Sequence, residues 1–278
     1  RSYLERYADT VQAKNWGAYV EAFYKETNAP IDQSKAAIIK GEINEGVSLI
    51  TFFGHSATSA FDFSIDEPES YTNFGKYPVI ISNGCFAGLI HSNNVGFSER
   101  FVFPSDKGAI AFMATTSLSI STNLDHFTSF VNSQLSQNNY NKSFGDCVRG
   151  AFNRMVNCCG NADYDMMVAY EMTIHGDPAL KLNQYAEPDY AIEQSSVFFN
   201  PSTVTPASDS FEVKLVVTNL GRAIDDSIAV TMTRTVFDAS NSGAAVPFFY
   251  KKIIAAPYYK DTVTFVMPTQ VGDLGYGE

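Results

Sequence analysis

Two reactive side chains stand directly after two apolar, β-prone runs. The first run, Val47 to Phe53, breaks at Gly54 and presents His55 within Phe52-Phe53-Gly54-His55-Ser56. The second, Tyr77 to Ile81, leads into Ser82-Asn83-Gly84-Cys85-Phe86-Ala87-Gly88. If the two runs are neighbouring strands of a parallel sheet, imidazole and thiol emerge together at its carboxyl edge, where open α/β sheets hold their sites. A thiol beside an imidazole is a nucleophile with its base, because the thiolate is the attacking species and His lowers its pKa. The chemistry expected of His55 and Cys85 is that of a cysteine peptidase or acyl transferase.

Chain order narrows this expectation. His precedes Cys by thirty positions, the reverse of the papain order and the order of caspase-type enzymes, in which consecutive strands deliver base and then nucleophile. The surroundings of Cys85 are not a G-x-S-x-G elbow, since Asn83 and Ala87 occupy the glycine positions. Asn83, Gly84 and His91 are candidates for the wall of a substrate pocket, with a surface loop as the plainer reading of His91. His126 falls in a helical stretch and reads as structural. His175 precedes a turn, where a hydrogen-bonding role is expected. Asp62, Asp66 and Glu67 follow His55 and offer either a partner for the imidazole or hard oxygen ligands for a structural calcium ion; a solvated acidic loop is the simpler alternative.

The elements that would carry these residues alternate between helix and strand. Trp16, Tyr19, Val20 and Phe23 recur at helical spacing, so the first 45 residues read as helical, with Asp32 capping a second helix that carries Ala36, Ile39 and Ile43 and closes at Gly46. Gly108 to Thr115 is a third apolar run, expected to be a buried parallel strand. Leu124 to Leu135 reads as a helix, and Ser143 with Asp146 resembles a capping box before a helix over Cys147 to Val156. Met166 to Ile174 is ambiguous between helix and strand. The expected fold is a three-layer α/β sandwich with a mainly parallel sheet.

The pattern changes at Glu187-Pro188-Asp189. Beyond it come short alternating runs, Val197–Phe199, Phe211–Thr218, Ile228–Thr235, Phe248–Ile254 and Thr262–Val266, separated by turn signals such as Asn219-Leu220-Gly221. This is the signature of a smaller β-sandwich of immunoglobulin-like type, where about seven strands are usual. The reading is therefore two domains, 1–186 and 187–278, the second incomplete.

Composition sets the outer bounds. In 278 residues, 45% are hydrophobic and 30 acids outnumber 19 bases, for a formal charge of −11. That balance argues against nucleic acid and anionic membrane as partners, and no stretch is apolar enough to insert into a bilayer. The chain opens at Arg1 and shows no signal peptide, which reads as a fragment or processed form. Cys147 could pair with Cys158 or Cys159 in an exported protein, or all three could be buried as small hydrophobes. No paired C-x-x-C motif points to zinc.

The segments FFGHSATSAFDF, KYPVIISNGCFAG, GAIAFMATTS and IHGDPALKL, in this order, resemble the gingipain-like cysteine peptidases, most closely the branch linked to the bacterial type IX secretion system and its surface sortase. The resemblance covers about residues 1 to 185. From Pro188 on, PDYAIEQSSVFFNP and LVVTNLGRAIDDSIAV resemble adhesion-type immunoglobulin-like modules of secreted bacterial proteins. The family implies a caspase-like fold, with His55 as general base and Cys85 as nucleophile. It implies an oxyanion hole built from the backbone N–H groups of Cys85 and Ser56, where gingipains themselves carry glycine in place of Ser56. It also implies an earlier subdomain that helps shape the pocket and supplies the acid orienting the histidine; no equivalent precedes the His55 strand here.

The resulting expectation is a cysteine endopeptidase or sortase-type transpeptidase, secreted or held at a bacterial cell surface. Its partners would be a polypeptide substrate and components of a secretion system, and its chemistry needs no cofactor. Two other readings stand beside it. One is a catalytically inactive caspase-like scaffold whose β-domain mediates contact. The other, less favoured, is a metal-dependent hydrolase using His55, Asp66 and Cys85.

Overall fold

The computed structural model describes residues 1–65, 68–92, 95–158, 162–205, 207–238 and 243–270. Two compact units emerge, one formed by Arg1–Gln12 with Val20–Gln184 and the other by Ala13–Tyr19 with Tyr185–Glu278.

The first unit is built on a four-stranded sheet in the order β1 (Leu49–Phe53), β2 (Val79–Asn83), β3 (Ala111–Thr115), β4 (Met172–Gly176). The first three strands are parallel and β4 runs antiparallel to β3. Strands β2 and β3 are buried along their whole length. They read as continuous apolar runs for that reason, as strands covered on both faces do. On one face lie α2 (Ala36–Glu45) and α3 (Phe97–Val102), with Ile39, Ile43, Phe97 and Phe101 packed against Phe52, Ile80 and Phe112 of the sheet. On the other face, Tyr3 and Tyr7 of α1 (Ser2–Gln12) pack their rings against Phe53 at 4.9 and 6.4 Å. Thr128 of α4 (Ser121–Ser133) bonds to Asn83 of β2 on that face. Helices α5 (Phe144–Cys158) and α6 (Ala162–Glu171) complete the layer. The result is the mixed α/β, caspase-like arrangement expected.

Phe61 is the keystone under the loop that carries His55. Only 1% exposed, it meets Phe52 at 4.1 Å and the edge of Phe97 at 4.7 Å. Phe61→Ala is expected to destabilise the unit by about 3–5 kcal/mol through lost burial and the cavity left behind. Denaturant unfolding measures this, and a loss below about 1 kcal/mol would contradict the packing.

Several expectations need correction. Residues 13 to 35 are not helical. Asn15 and Gly17 adopt positive φ (77° and 61°), which breaks the path of α1. Asn15 then exchanges two backbone hydrogen bonds with Ala223, each 2.9 Å, in an isolated bridge, and Trp16 and Tyr19 fall within the second unit. Asp32 does not cap α2, whose N-cap is Lys35; its carboxylate closes a turn on the Ser34 N–H instead. The ambiguous stretch resolves into α6 ending at Glu171 and β4 beginning at Met172. Ser143 does cap α5, accepting the Asp146 N–H at 3.1 Å. After α4 comes a π-helical turn, Gln134–Asn138.

Among the described residues the second unit holds two sheets. One has β7 (Ser210–Asn219) flanked by β10 (Lys260–Pro268) on one side and by β5 (Tyr190–Ala191) and β6 (Val197–Asn200) on the other; the second pairs β8 (Ser227–Asp238) with β9 (Ala244–Ala255). Phe211, Val213, Leu215 and Val217 alternate inward along β7, and with Val263 and Phe265 of β10 they pack against Val230 of β8. β5 has only two residues and carries no alternation that a sequence could display.

Candidate active site

The register of the central strands positions the two reactive residues. Phe53 stands opposite Asn83 in the parallel β1–β2 pair, so the strands end at the same level. His55 and Cys85 each follow two residues later, past Gly54 and Gly84. His55 is exposed and Cys85 half-buried, a free thiol.

The loop of each residue is held from beneath. After His55 the chain turns back on itself, with Ser56 facing Phe61 in an antiparallel bridge. The Asp62 N–H donates to the His55 carbonyl at 2.8 Å, and the Ala57 N–H to the Ala60 carbonyl at 2.9 Å. That pattern leaves the Ser56 N–H outside the bridge. Asp32, only 1% exposed, buttresses the same loop, donating its N–H to the Asp62 carbonyl (3.0 Å) and accepting the Ser64 N–H (2.9 Å). Its carboxylate accepts the N–H groups of Glu26 (2.8 Å) and Ser34 (2.9 Å), which bring its pKa down to about 2.

A carboxyl lowered in the folded state stabilises above its unfolded pKa and loses that contribution as pH falls through its folded value. Asp32 should therefore support this loop fully above 3.8 and progressively less down to about 2. Thermal unfolding at stepped pH should show a decline across that window that Asp32→Asn removes. An unchanged acid profile in the variant would contradict this.

The peptide planes on both sides of Cys85 are pinned. The Gly84 carbonyl accepts the hydroxyl of fully buried Thr115 at 2.8 Å. Because a trans peptide points its C=O and N–H in opposite directions, the Cys85 N–H faces away from Thr115. The next plane is held at its oxygen by the Ser56 hydroxyl, 2.7 Å from the Cys85 carbonyl, and at its nitrogen by the Phe86 N–H, 3.0 Å from the Ser117 carbonyl. Phe86 pays for this with φ of 60°, a left-handed conformation that costs a bulky residue on the order of 1 kcal/mol. Such strain clusters at functional sites. The thiol itself rests on the Ser119 carbonyl, Sγ to O 3.8 Å. Neither the Ser56 nor the Cys85 N–H meets a backbone acceptor among the described residues.

The remaining candidates disperse. Asn83 is 1% exposed and turned inward, its Oδ1 accepting the Thr128 hydroxyl at 2.5 Å, so its side chain lines no open pocket. Gly84 is likewise buried, pressed against Ser56. His91 is exposed on the connection to α3. The Asp62 carboxylate pairs with Lys25, Nζ to Oδ2 3.3 Å. Asp66 and Glu67 lie outside the described residues. His126 sits on α4 with Nδ1 3.5 Å from Asp165. His175 takes the hydrogen-bonding place expected of it, between the hydroxyls of Ser98 and Thr173 at 3.1 Å each, and burial lowers its pKa. Cys147 is a free buried thiol raised to about 12 by desolvation, and so is not a disulfide partner; the side chains of Cys158 and Cys159 lie outside the described residues. A cavity of about 410 Å³ lined by Asn139, Lys142, Asp146, Arg149, Gly150 and Asn153 includes none of the candidate residues.

Sequence reasoning missed Thr115, Ser117 and Ser119. The signal was present in Thr115-Thr116-Ser117, hydroxyl residues at the carboxyl end of the strand next to the one that delivers Cys85.

The profile of peptidase family C25 matches residues 1–183, about two thirds of the chain. The chain belongs to this family. These are the gingipain-like cysteine peptidases, and solved structures of the family share the fold. The Arg-specific cysteine proteinase gingipain R (RgpB) superposes with a TM-score of 0.56 at 17% identity, covering 95% of this chain and 61% of that one. The complex of the Porphyromonas gingivalis RgpB pro- and mature domains gives 0.57 at 16% identity, with 95% and 62% covered. The chain thus spans about three fifths of the length of these structures. No curated protein matches it. No helix among the described residues is long and apolar enough to cross a membrane.

Proposed function

We propose that this C25 chain is a cysteine peptidase in which Cys85 is the nucleophile and His55 its general base. The observation that carries the reading is the β1–β2 register, Phe53 opposite Asn83, with an imidazole two residues beyond one strand end and a free thiol two residues beyond the other. His55 would take the thiol proton as Sγ attacks a peptide carbonyl. The N–H groups of Ser56 and Cys85, free of backbone partners, suit the developing oxyanion. Collapse expels the amine with the proton from His55 and leaves a thioester on Cys85. Water then releases the acid in a peptidase; an amine of a second polypeptide takes the acyl group in a sortase-type transpeptidase. Both regenerate the thiol, and neither needs a metal or cofactor.

Residues 187–278, with 13–19 of the same unit, would form an immunoglobulin-like module, and the rest of 1–186 the catalytic part. The protein is placed outside the cell or at its surface, in company with secretion components. The test is turnover of a fluorogenic peptide library in EDTA, with and without added amine acceptor. Turnover that His55→Ala suppresses supports the reading, and ligated products separate the transpeptidase from the peptidase. A folded wild-type protein inert towards every peptide would favour the scaffold reading instead.

A further inference from the structure

We propose that Ser56 is a positioning residue whose hydroxyl locks the loop of the base to the loop of the nucleophile. The proposal rests on the dyad reading and concerns the Ser56 side chain, distinct from its backbone N–H. Ser56 follows His55 directly, and its O–H donates to the carbonyl of Cys85 at 2.7 Å, so one short bond joins the two loops that carry the chemistry. Their approach is close: a Cβ on Gly84 would stand 2.2 Å from the Ser56 Oγ and 2.8 Å from its Cβ. The bond acts on a strained backbone. It holds the oxygen of the Cys85–Phe86 peptide while the Ser117 carbonyl holds its N–H, and together they keep Phe86 at φ of 60°. Thr115 fixes the preceding plane from inside the unit. Ser56 is thus the contact through which the position of the His55 hairpin, anchored below by Phe61 and Asp32, is passed to the Cys85 backbone.

Losing the hydroxyl removes one hydrogen bond and leaves a half-buried carbonyl without that donor. A net hydrogen bond corresponds to a change of about two- to tenfold in a local equilibrium. Ser56→Ala keeps the backbone N–H and removes only the oxygen, so the fold should survive; its melting temperature serves as the control.

Three readouts test the proposal in the full chain. Amide hydrogen exchange over residues 84–88 should quicken by about two- to tenfold. Alkylation of Cys85 by iodoacetamide at pH 7, followed by peptide mapping, should slow by a similar factor. On any peptide the wild type cleaves, kcat should fall while KM stays within about twofold, since the hydroxyl positions the nucleophile and does not touch substrate. Exchange and alkylation unchanged in Ser56→Ala, with His55→Ala slowing alkylation as expected, would overturn the proposal and leave the dyad standing. His55→Ala alkylating at the wild-type rate would overturn the dyad reading, and this proposal with it.

Discussion

Cys85→Ala is expected to lose peptide turnover by about ten-thousand-fold or more in kcat/KM, with stability close to that of the wild type. The residue is half-buried, its Sγ 3.8 Å from the Ser119 carbonyl, so truncation leaves no large buried cavity. Cys147 is the internal contrast. Fully buried and raised to about 12, its thiol carries almost no thiolate at neutral pH. Cys147→Ala should therefore lower stability while leaving kcat/KM near the wild-type value. Kinetics and thermal melts on both variants separate a chemical role from a structural one. Turnover kept by Cys85→Ala and lost in Cys147→Ala would reverse the assignment.

Gly84→Ala should be damaging too, less in rate but more in stability. The added methyl would lie 2.8 Å from the Cβ of Ser56 and 3.1 Å from the carbonyl of Gly54, and neither can move without its backbone. The hairpin bearing His55 must retreat from the loop bearing Cys85. Overpacking of this kind costs about 1–3 kcal/mol of stability. Displacing reacting groups by ~1 Å can cost about a hundredfold in rate. The expected result is a folded protein, less stable by that amount and about a hundredfold slower, with the loss in kcat. A variant with wild-type kcat would show that the approach of Ser56 to Gly84 does not set the site.

How much of this could be read from the chain depends on where each residue spends its side chain. Tyr77–Ile81 and Gly108–Thr115 are visible as strands because β2 and β3 are covered on both faces and their runs are largely apolar, and Val47–Phe53, half-buried in β1, is visible by its β-prone residues. The alternation along β7 is visible because one face alone is buried. The stretch 13–35 misled because Trp16, Tyr19, Val20 and Phe23 have helical spacing while the deciding facts are backbone ones: positive φ at Asn15 and Gly17, and a pairing with Ala223 some two hundred positions away. Local periodicity carries no information about such a partner.

At the site the same division holds. His55 and Cys85 stand out because glycines follow apolar strands there, and parallel pairing of consecutive strands needs no long-range knowledge. Asn83 looked like a pocket residue by its nearness to Cys85, yet strand residues alternate faces, and this one points to Thr128 of α4. Thr115 was invisible as a support for Gly84 because that contact depends on the register between β2 and β3. Ser56 was legible only as a backbone donor. That its hydroxyl faces Cys85 follows from the closeness of two loops, which no spacing in the chain records.

During turnover Cys85 should carry the acyl group of the substrate as a thioester. Acid quenching during turnover of a peptide ester, followed by peptide mapping and mass spectrometry, tests this directly. The expected result is a mass increase equal to the acyl portion of the substrate on the peptide containing Cys85, present in the wild type and absent in His55→Ala. An acyl group found on another residue, or steady turnover with no adduct on Cys85 even when deacylation is made slow, would contradict it.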